Sequence, residues 1–353
     1  MRLRGHQQRH SAGAGAAGSS ATRLLLALIL SALACASPAR QPAAAKQSSR
    51  APRPPINAER VLARLTALPA PRTPGTAGHR RAQQHLMQSL QAMGLEPQRR
   101  TFSWSGLPGI ELANIEVRLA GPAQAARGGA APDALLLCAH FDSVPGSPGA
   151  DDNGSGVAAL LEVARRLAGR ELPAELRLLL VDAEERGLVG SRHYVRSLSA
   201  QARRRIAGVI NLESVGYTDR RPGVQTMPAA TRALLDPGDV GDFVLVLGNQ
   251  ASAPLVQLSA SSLRATAAGA LRVVDYDRLA GAGWLIPDSR RSDHASFWDA
   301  NIPAVMLTDT APFRNPHYHR PDDRPETLDG EFLAAVARGV ERAALLWAAA
   351  QEE

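Results

Sequence analysis

The sequence predicts an α/β fold, built as a three-layer α/β/α domain with a mainly parallel or mixed central sheet. Two observations carry this expectation. Short apolar runs such as LLLCA at 135–139 and LRLLLVDA at 176–183 read as strands buried on both faces. Stretches with helical periodicity alternate with them, as in sheets covered by helices on each side. A third observation concerns placement: the polar residues with chemical potential fall just after the apolar runs, at the edge where open α/β sheets place their ligands.

Taken in order, residues 36–55 are Pro, Ala, Ser and Arg without apolar periodicity, a linker composition. From Asn57 the pattern turns helical, with Val61, Leu62, Leu65 and Leu68 on one face. RTPGTAG at 72–78 makes a turn and a second helix follows over 79–93. Strands are expected at 110–119, 135–139, 176–183 and 206–212, with helices at 156–167 and 188–198 between them. Further strands are expected at 243–247, 271–276 and 304–307, and a long helix over 331–350. Residues 218–241, rich in Pro and Gly, read as one long loop.

The chain has 353 residues with 45% hydrophobic and 21% charged side chains, which suits a folded core and excludes wholesale disorder. Its net charge of +7 suggests nucleic acid only superficially. Arg2, Arg4, Arg9 and Arg23 precede an 11-residue apolar run at 24–34, and without them the remainder carries only +3. With 4% aromatics, base stacking has little to work with, so no nucleic-acid partner is expected. The apolar run is too short to span a bilayer and reads as the core of an export signal. The expected organisation is a signal peptide over 1–34, a tether over 35–55 and one catalytic domain over 56–353. Cys35 after Ala34 fits a lipoprotein processing site, giving a membrane contact only through a lipid at that residue, with export to the cell envelope, periplasm or medium. Ordinary cleavage at the same place is the alternative. Cys138, within an apolar run, reads as a buried, inert thiol. Nothing in the sequence sets an oligomeric state.

His140, Asp142, Asp151 and Asp152 follow the first of the long apolar strands, Glu184 and Glu185 the second, Glu213 the third, and His317 and His319 lie beyond 304–307. Imidazoles and carboxylates gathered at one sheet edge are costly to bury unpaired, and zinc offers the compensation. GSGVAA at 154–159 matches a dinucleotide fingerprint in letters, but 14 residues separate it from its strand. There is no G-x-S-x-G elbow for a serine hydrolase. Asp151 taken alone reads as a helix cap.

The joint pattern resembles the secreted bacterial di-zinc aminopeptidases of metallopeptidase family 28. The blocks that carry the resemblance are H-x-D at 140–142, GADDNGSG at 149–156, EE-x-GL-x-GS at 184–191, NLE-x-x-G at 211–216, SDHA-x-F at 292–297 and PHYH at 316–319. The resemblance implies two zinc ions bridged by Asp152, one completed by His140 and Glu213, the other by Glu185 and His319. It further implies Glu184 as general base, taking a proton from the attacking water and handing it to the leaving amine. Asp142 would orient His140 from behind. A peptide is the implied substrate, cleaved at a free N-terminus. Glutaminyl cyclisation with one zinc, and a catalytically dead binding domain, are the rival readings on the same scaffold.

Several residues depart from the family pattern or have competing explanations. Glu213 stands where well-known members have Asp. Arg320 and Arg324 replace small hydroxyl residues, which implies an altered pocket charge. His317 is a rival ligand to His319, and Arg314 a candidate for orienting a substrate carbonyl. His193 and His294 are expected as core or loop hydrogen-bonders, Trp284 and Trp298 as packing. Tyr318 is expected close to whatever His319 binds.

Overall fold

The computed structural model describes residues 53–122 and 133–352. The expected signal peptide, Cys35 and most of the tether lie outside the described residues.

Helix α1 (Ala58–Ala67) starts at Asn57, whose side chain accepts the Arg60 N–H at 3.0 Å, and it buries Val61 and Leu65. Thr76 caps α2 (Ala77–Ala92) in the same way. The strands are β1 (Gln98–Phe102), β2 (Leu112–Gly121), β3 (Ala134–His140), β4 (Arg170–Glu171), β5 (Glu175–Val181), β6 (Ile206–Glu213), β7 (Phe243–Asn249), β8 (Arg272–Leu279) and β9 (Ala304–Thr308). They form one mixed sheet in the order β1-β2-β5-β3-β6-β9-β7-β8, with β4 paired to β2. The four central strands β5, β3, β6 and β9 run parallel, and their antiparallel flanks are β2 and β7.

Period-two alternation sorts the side chains of each central strand between two cores. Leu135, Leu137, Ile210, Leu212, Val305 and Leu307 face one layer; α3 (Gly156–Leu167), α7 (Ala253–Thr266) and α9 (Gly330–Ala349) supply its helices. Leu136, Cys138, Val209 and Met306 face the other, where α4 (Val189–Ser197) and α8 (His294–Trp298) contribute Tyr194, Phe297 and Trp298. Cys138 is fully buried there as a free thiol. Where α9 crosses α7, Gly339 is required: a Cβ on it would lie 2.4 Å from a Leu263 methyl and 3.0 Å from the Leu263 Cα.

The expected strand at 110–119 starts at Leu112 and extends to Gly121. The 218–241 loop contains a short helix, α6 (Ala229–Leu234), held between turns. The sequence reading omitted α7 altogether. Its apolar face is diluted by Ser259, Ala260 and Ser262, small buried residues, so its periodicity is weak although it packs closely on α9 through Leu263. Also unexpected is α5 (Ala200–Arg204), a single turn capped by Ser199.

Candidate metal centre

Parallel pairing of β3 with β6 brings two strand ends side by side, and each ends on a candidate ligand: His140 on β3, Glu213 on β6. The loop after β3 returns Asp152 to the same place. His140 Nε2 lies 3.2 Å from Asp152 Oδ1 and 3.3 Å from Glu213 Oε2. The other Asp152 oxygen lies 3.0 Å from His319 Nε2, which is 3.2 Å from Glu185 Oε2. The structure thus brings together two groups of donors, His140–Asp152–Glu213 and Asp152–Glu185–His319, each compact enough to hold one ion and sharing the Asp152 carboxylate.

Glu184 stands next to both groups without joining either, its Oε2 4.0 Å from His140 Nε2. Its separation from Glu185 is a matter of backbone. Ala183 adopts a left-handed φ of 54°, which turns the chain sharply out of β5 and aims successive carboxylates in different directions. The same unfavourable region is occupied by Ser214 (φ 49°), just after Glu213, and by His319 itself (φ 61°), so strained backbone concentrates at the site. Asp142 sits beneath, accepting the N–H groups of Glu184 at 3.0 Å and Glu185 at 3.3 Å, with His140 Nδ1 3.4 Å from its Oδ1. One carboxylate therefore fixes the backbone of the two glutamates and lies close behind the imidazole.

The charges need a cation. Both nitrogens of His140, Asp152 Oδ1 and Glu185 Oε1 are buried with no hydrogen-bond partner among the described residues. Burial alone would lower His140, yet the Glu213 and Glu184 carboxylates, with Asp142 and Asp152, hold it well above the usual imidazole range. Burial pushes Glu184 well up, against the pull of His140, and raises Glu185 to about 7 with help from Asp152. Asp152 is drawn low by His140 and His319 despite its burial. A set of imidazole and carboxylate donors with orphaned lone pairs fits zinc, which takes N and O ligands without geometric demands of its own.

Other residues hold this arrangement, and the sequence reading had missed most of them. Arg72, only 1% exposed, donates to three carbonyls of the loop between His140 and Asp152: Nε to Phe141 O at 2.6 Å, Nη1 to Pro148 O at 2.8 Å, Nη2 to Gly149 O at 2.5 Å. Gly149, at φ 66°, lies so close that a Cβ would meet Asp152 O at 2.4 Å. Asp323 accepts the N–H groups of Asp151 at 2.8 Å and Asp152 at 3.3 Å. Asn153 bonds Leu212 O at 2.7 Å and accepts the Ser214 N–H at 3.1 Å, and Ser292 donates to Glu213 Oε2 at 2.6 Å. Buried arginines and asparagines give no periodic signal; only the RTPGTAG turn hinted at the first.

Several expectations are corrected. Asp151 does not cap α3; it accepts from Gly216 N at 3.0 Å and Asn315 Nδ2 at 2.7 Å, tying two loops together. Arg320 and Arg324 leave the pocket's charge alone, because Arg320 is 65% exposed beside Asp322 and Arg324 is exposed, donating to Pro321 O. His317 pairs with Asp322 at 2.9 Å and belongs to neither donor group. Arg314 is buried and anchors the 218–241 segment, donating to Gln225 Oε1 and Phe243 O at 2.8 Å each. Trp284 is 67% exposed over the Arg290 guanidinium and is not core packing. Trp298 is buried and donates to Ala304 O, His294 bonds Ser289 O at 2.7 Å, and His193 stacks on Phe102.

A small, largely apolar pocket adjoins the site. Glu213 and Tyr318 line it on the metal side, and Met227, Leu235, Leu245, Leu279, Met306 and Phe313 form its walls.

The chain resembles known proteins in sequence and in fold. Over 216 residues, 58% of the chain, it is 34% identical to YfbL of Escherichia coli K12, a protein described as uncharacterized, and covers 64% of it. Over 236 residues, 62% of the chain, it is 31% identical to the "probable lipoprotein aminopeptidase LpqL" of Mycobacterium tuberculosis, covering 44% of that protein. The matches thus span less than two thirds of these relatives' own length. Among solved structures, a zinc aminopeptidase from Bacillus subtilis superposes with a TM-score of 0.61 at 19% identity, covering 82% of this chain and 94% of that one. The glutaminyl cyclase of Porphyromonas gingivalis shares the fold too, with a TM-score of 0.60 at 22% identity, covering 82% of this chain and 98% of that one. The family model for peptidase family M28 matches residues 123–240 and 259–344, more than half of the sequence, and the chain belongs to that family.

Proposed function

We propose that the chain is a zinc-dependent aminopeptidase that binds two ions per chain and removes apolar residues from free N-termini. The observation that carries this reading is the shared Asp152 carboxylate with an unshared, buried Glu184 beside it. His140, Asp152 and Glu213 would hold one ion; Asp152, Glu185 and His319 would hold the other. Bound zinc supplies Lewis acidity and brings water within reach of deprotonation near neutral pH.

Everything else falls to the chain's own side chains. Glu184, raised by burial and lying outside both donor groups, takes the proton of the attacking water on a carboxylate oxygen and delivers it to the departing amine nitrogen. Asp142 keeps that carboxylate and His140 in register through its bonds to the Glu184 and Glu185 backbone. The surrounding carboxylates favour an ammonium at the substrate's end and disfavour a blocked, neutral amide. The apolar cavity takes the first side chain, with Leu, Met or Phe filling it better than Ala.

Cyclisation needs one Lewis acid; the second donor group, His140 with Glu213, favours hydrolysis over it. The test is a panel of aminoacyl, N-acetylated and N-terminal Gln peptides, with zinc measured in the same protein. Release of apolar N-terminal residues at about two zinc per chain is expected. Rapid cyclisation of Gln peptides without amino-acid release would overturn it.

We further propose export with a lipid on Cys35, supported by the signal-like run at 24–34 and by the relative described as a lipoprotein aminopeptidase. Among the described residues no helix is long and apolar enough to cross a membrane. Membrane-fraction protein that becomes soluble on Cys35→Ala would support the lipid; a wild type already free of the membrane would refute it.

A further inference from the structure

The net charge of the chain conceals an uneven surface. From Arg186 to Leu212 the sequence carries Arg192, Arg196, Arg203, Arg204 and Arg205 besides Arg186, and no acid at all. Arg192 and Arg196 stand one turn apart on the exposed side of α4, the opposite side from Tyr194 and Val195, which pack into the core. Arg204 is exposed in the last turn of α5. Arg192, Arg196 and Arg204 make no ion pair among the described residues. Arg99, Arg221, Arg264 and Arg272 lie against carboxylates, whereas exposed Arg81, Arg278 and Arg342 also make no ion pair among the described residues, so the stripe is set apart by its run of six arginines without an acid.

This stripe has a definite place. α5 leads directly into Ile206, which pairs with Ala134 at the start of β3, so Arg204 lies at the N-terminal edge of the parallel strands. His140 and Glu213 close the other ends of those strands, a strand length of about 23 Å away. The chain also enters at the basic edge: Arg53 donates to Arg165 O, and Arg166 donates to Arg53 O, in the last turn of α3, beyond which Gly169 donates to Leu119 O. Exposed Arg170 adds to the edge, against exposed Asp133 and Glu171.

We propose that this face, Arg192, Arg196 and Arg204 with the adjoining edge, docks on an anionic phospholipid surface. Charge complementarity selects a phosphate-bearing partner. Cys35, the proposed lipid site, lies upstream of Arg53, which suits a bilayer better than a polynucleotide, and no exposed aromatic residue interrupts the arginines to stack on bases. Arg204 lies at the end of the parallel strands opposite the donor groups, and Arg192 and Arg196 lie along the flank of α4. The inference stands apart from the aminopeptidase reading, since none of these arginines touches the donor groups.

The test is co-sedimentation of the purified full chain with vesicles of phosphatidylglycerol and phosphatidylethanolamine, or of phosphatidylcholine alone, at about physiological salt. The comparison is between wild type, Arg192→Gln/Arg196→Gln/Arg204→Gln, and the same three positions changed to Lys. Each arginine near an anionic surface contributes about fivefold, so the Gln set is expected to bind the anionic vesicles roughly tenfold to a hundredfold less. The Lys set should keep binding, and all three should share one circular dichroism spectrum and one rate on soluble peptides. Equal binding by the Gln set, equal partition onto phosphatidylcholine, or preference for duplex DNA over the anionic vesicles would each overturn the proposal.

Discussion

Replacing Arg72 is the sharpest probe of how the candidate centre is held. Arg72→Met removes three charged hydrogen bonds, to Phe141 O, Pro148 O and Gly149 O, while its backbone bond to Ser143 Oγ at 3.0 Å remains. A bond from a charged donor contributes about 1.5–3 kcal/mol, and each buried carbonyl left bare costs about as much again unless water reaches it. Allowing for water entering the polar loop, a loss of about 4–6 kcal/mol is expected, a large part of a typical domain's stability. Arg72→Lys, with one ammonium in place of the planar fork, should recover no more than about a third of this. Arg72 also faces Asp142, Asp152, Glu185 and Asp323 across the site, so its removal leaves those carboxylates less compensated. Denaturant titrations of wild type and both variants, with chelator and with saturating zinc, separate the effects. Zinc should raise the stability of all three proteins by binding the folded state alone, and the chelated comparison isolates the hydrogen bonds. A loss below about 1 kcal/mol in chelated Arg72→Met would refute the reasoning, because the loop would then be held by something other than the guanidinium.

Glu184→Gln should keep the zinc content and the fold while lowering turnover by about 10²–10⁴-fold, the reach of general base catalysis; equal loss of metal would exchange the roles of Glu184 and Glu185. Gly339→Ala should destabilise the domain by about 1–3 kcal/mol in denaturant, since the new Cβ would sit 2.4 Å from Leu263, an overlap exceeding the helical preference for Ala. A neutral result would mean that α7 and α9 can part freely. His294 is buried and held down to about pKa 4, whereas unfolded histidine titrates near 6.5. The unfolded state therefore takes up its proton first, and the stability this histidine contributes is full above pH 6.5 and lost as pH falls towards 4. Against His294→Gln, the wild type should lose about 2–3 kcal/mol more between pH 7 and 4.5, measured by denaturant midpoints; parallel curves would show that the imidazole is not buried neutral.

Much of this was legible in the sequence because strand ends announce themselves. His140 and Glu213 terminate apolar runs, and Glu184 and Glu185 follow one, so their convergence needed only a parallel sheet. Helix α3 was read at its true limits, since its apolar face meets the sheet across its whole length. Helix α7 was invisible because buried Ser259, Ala260 and Ser262 interrupt its apolar face and blur its hydrophobic period. The grip of Arg72 and Asp323 on the metal loop is equally silent, resting on bonds to backbone atoms 69 to 172 residues away. Arg320 and Arg324 were misplaced for a related reason: neighbours in sequence to His319, they turn outward on a chain that reverses direction at its left-handed φ.

The donors of the centre are spread along the chain, at 140, 152, 185, 213 and 319, and the last of them lies just before the helix that closes the larger core. A chain being made or threaded through a membrane from its N-terminus has four of these side chains long before the fifth. The group built on His319 joins it to Glu185 and Asp152, 134 and 167 positions away in sequence, and the sheet that aligns the other group must pair strands distant in sequence. The second donor group is therefore complete only once residue 319 has been made. A nascent chain that ends between residues 213 and 319 has the donors His140, Asp152, Glu185 and Glu213 and lacks the His319 imidazole that completes the second group.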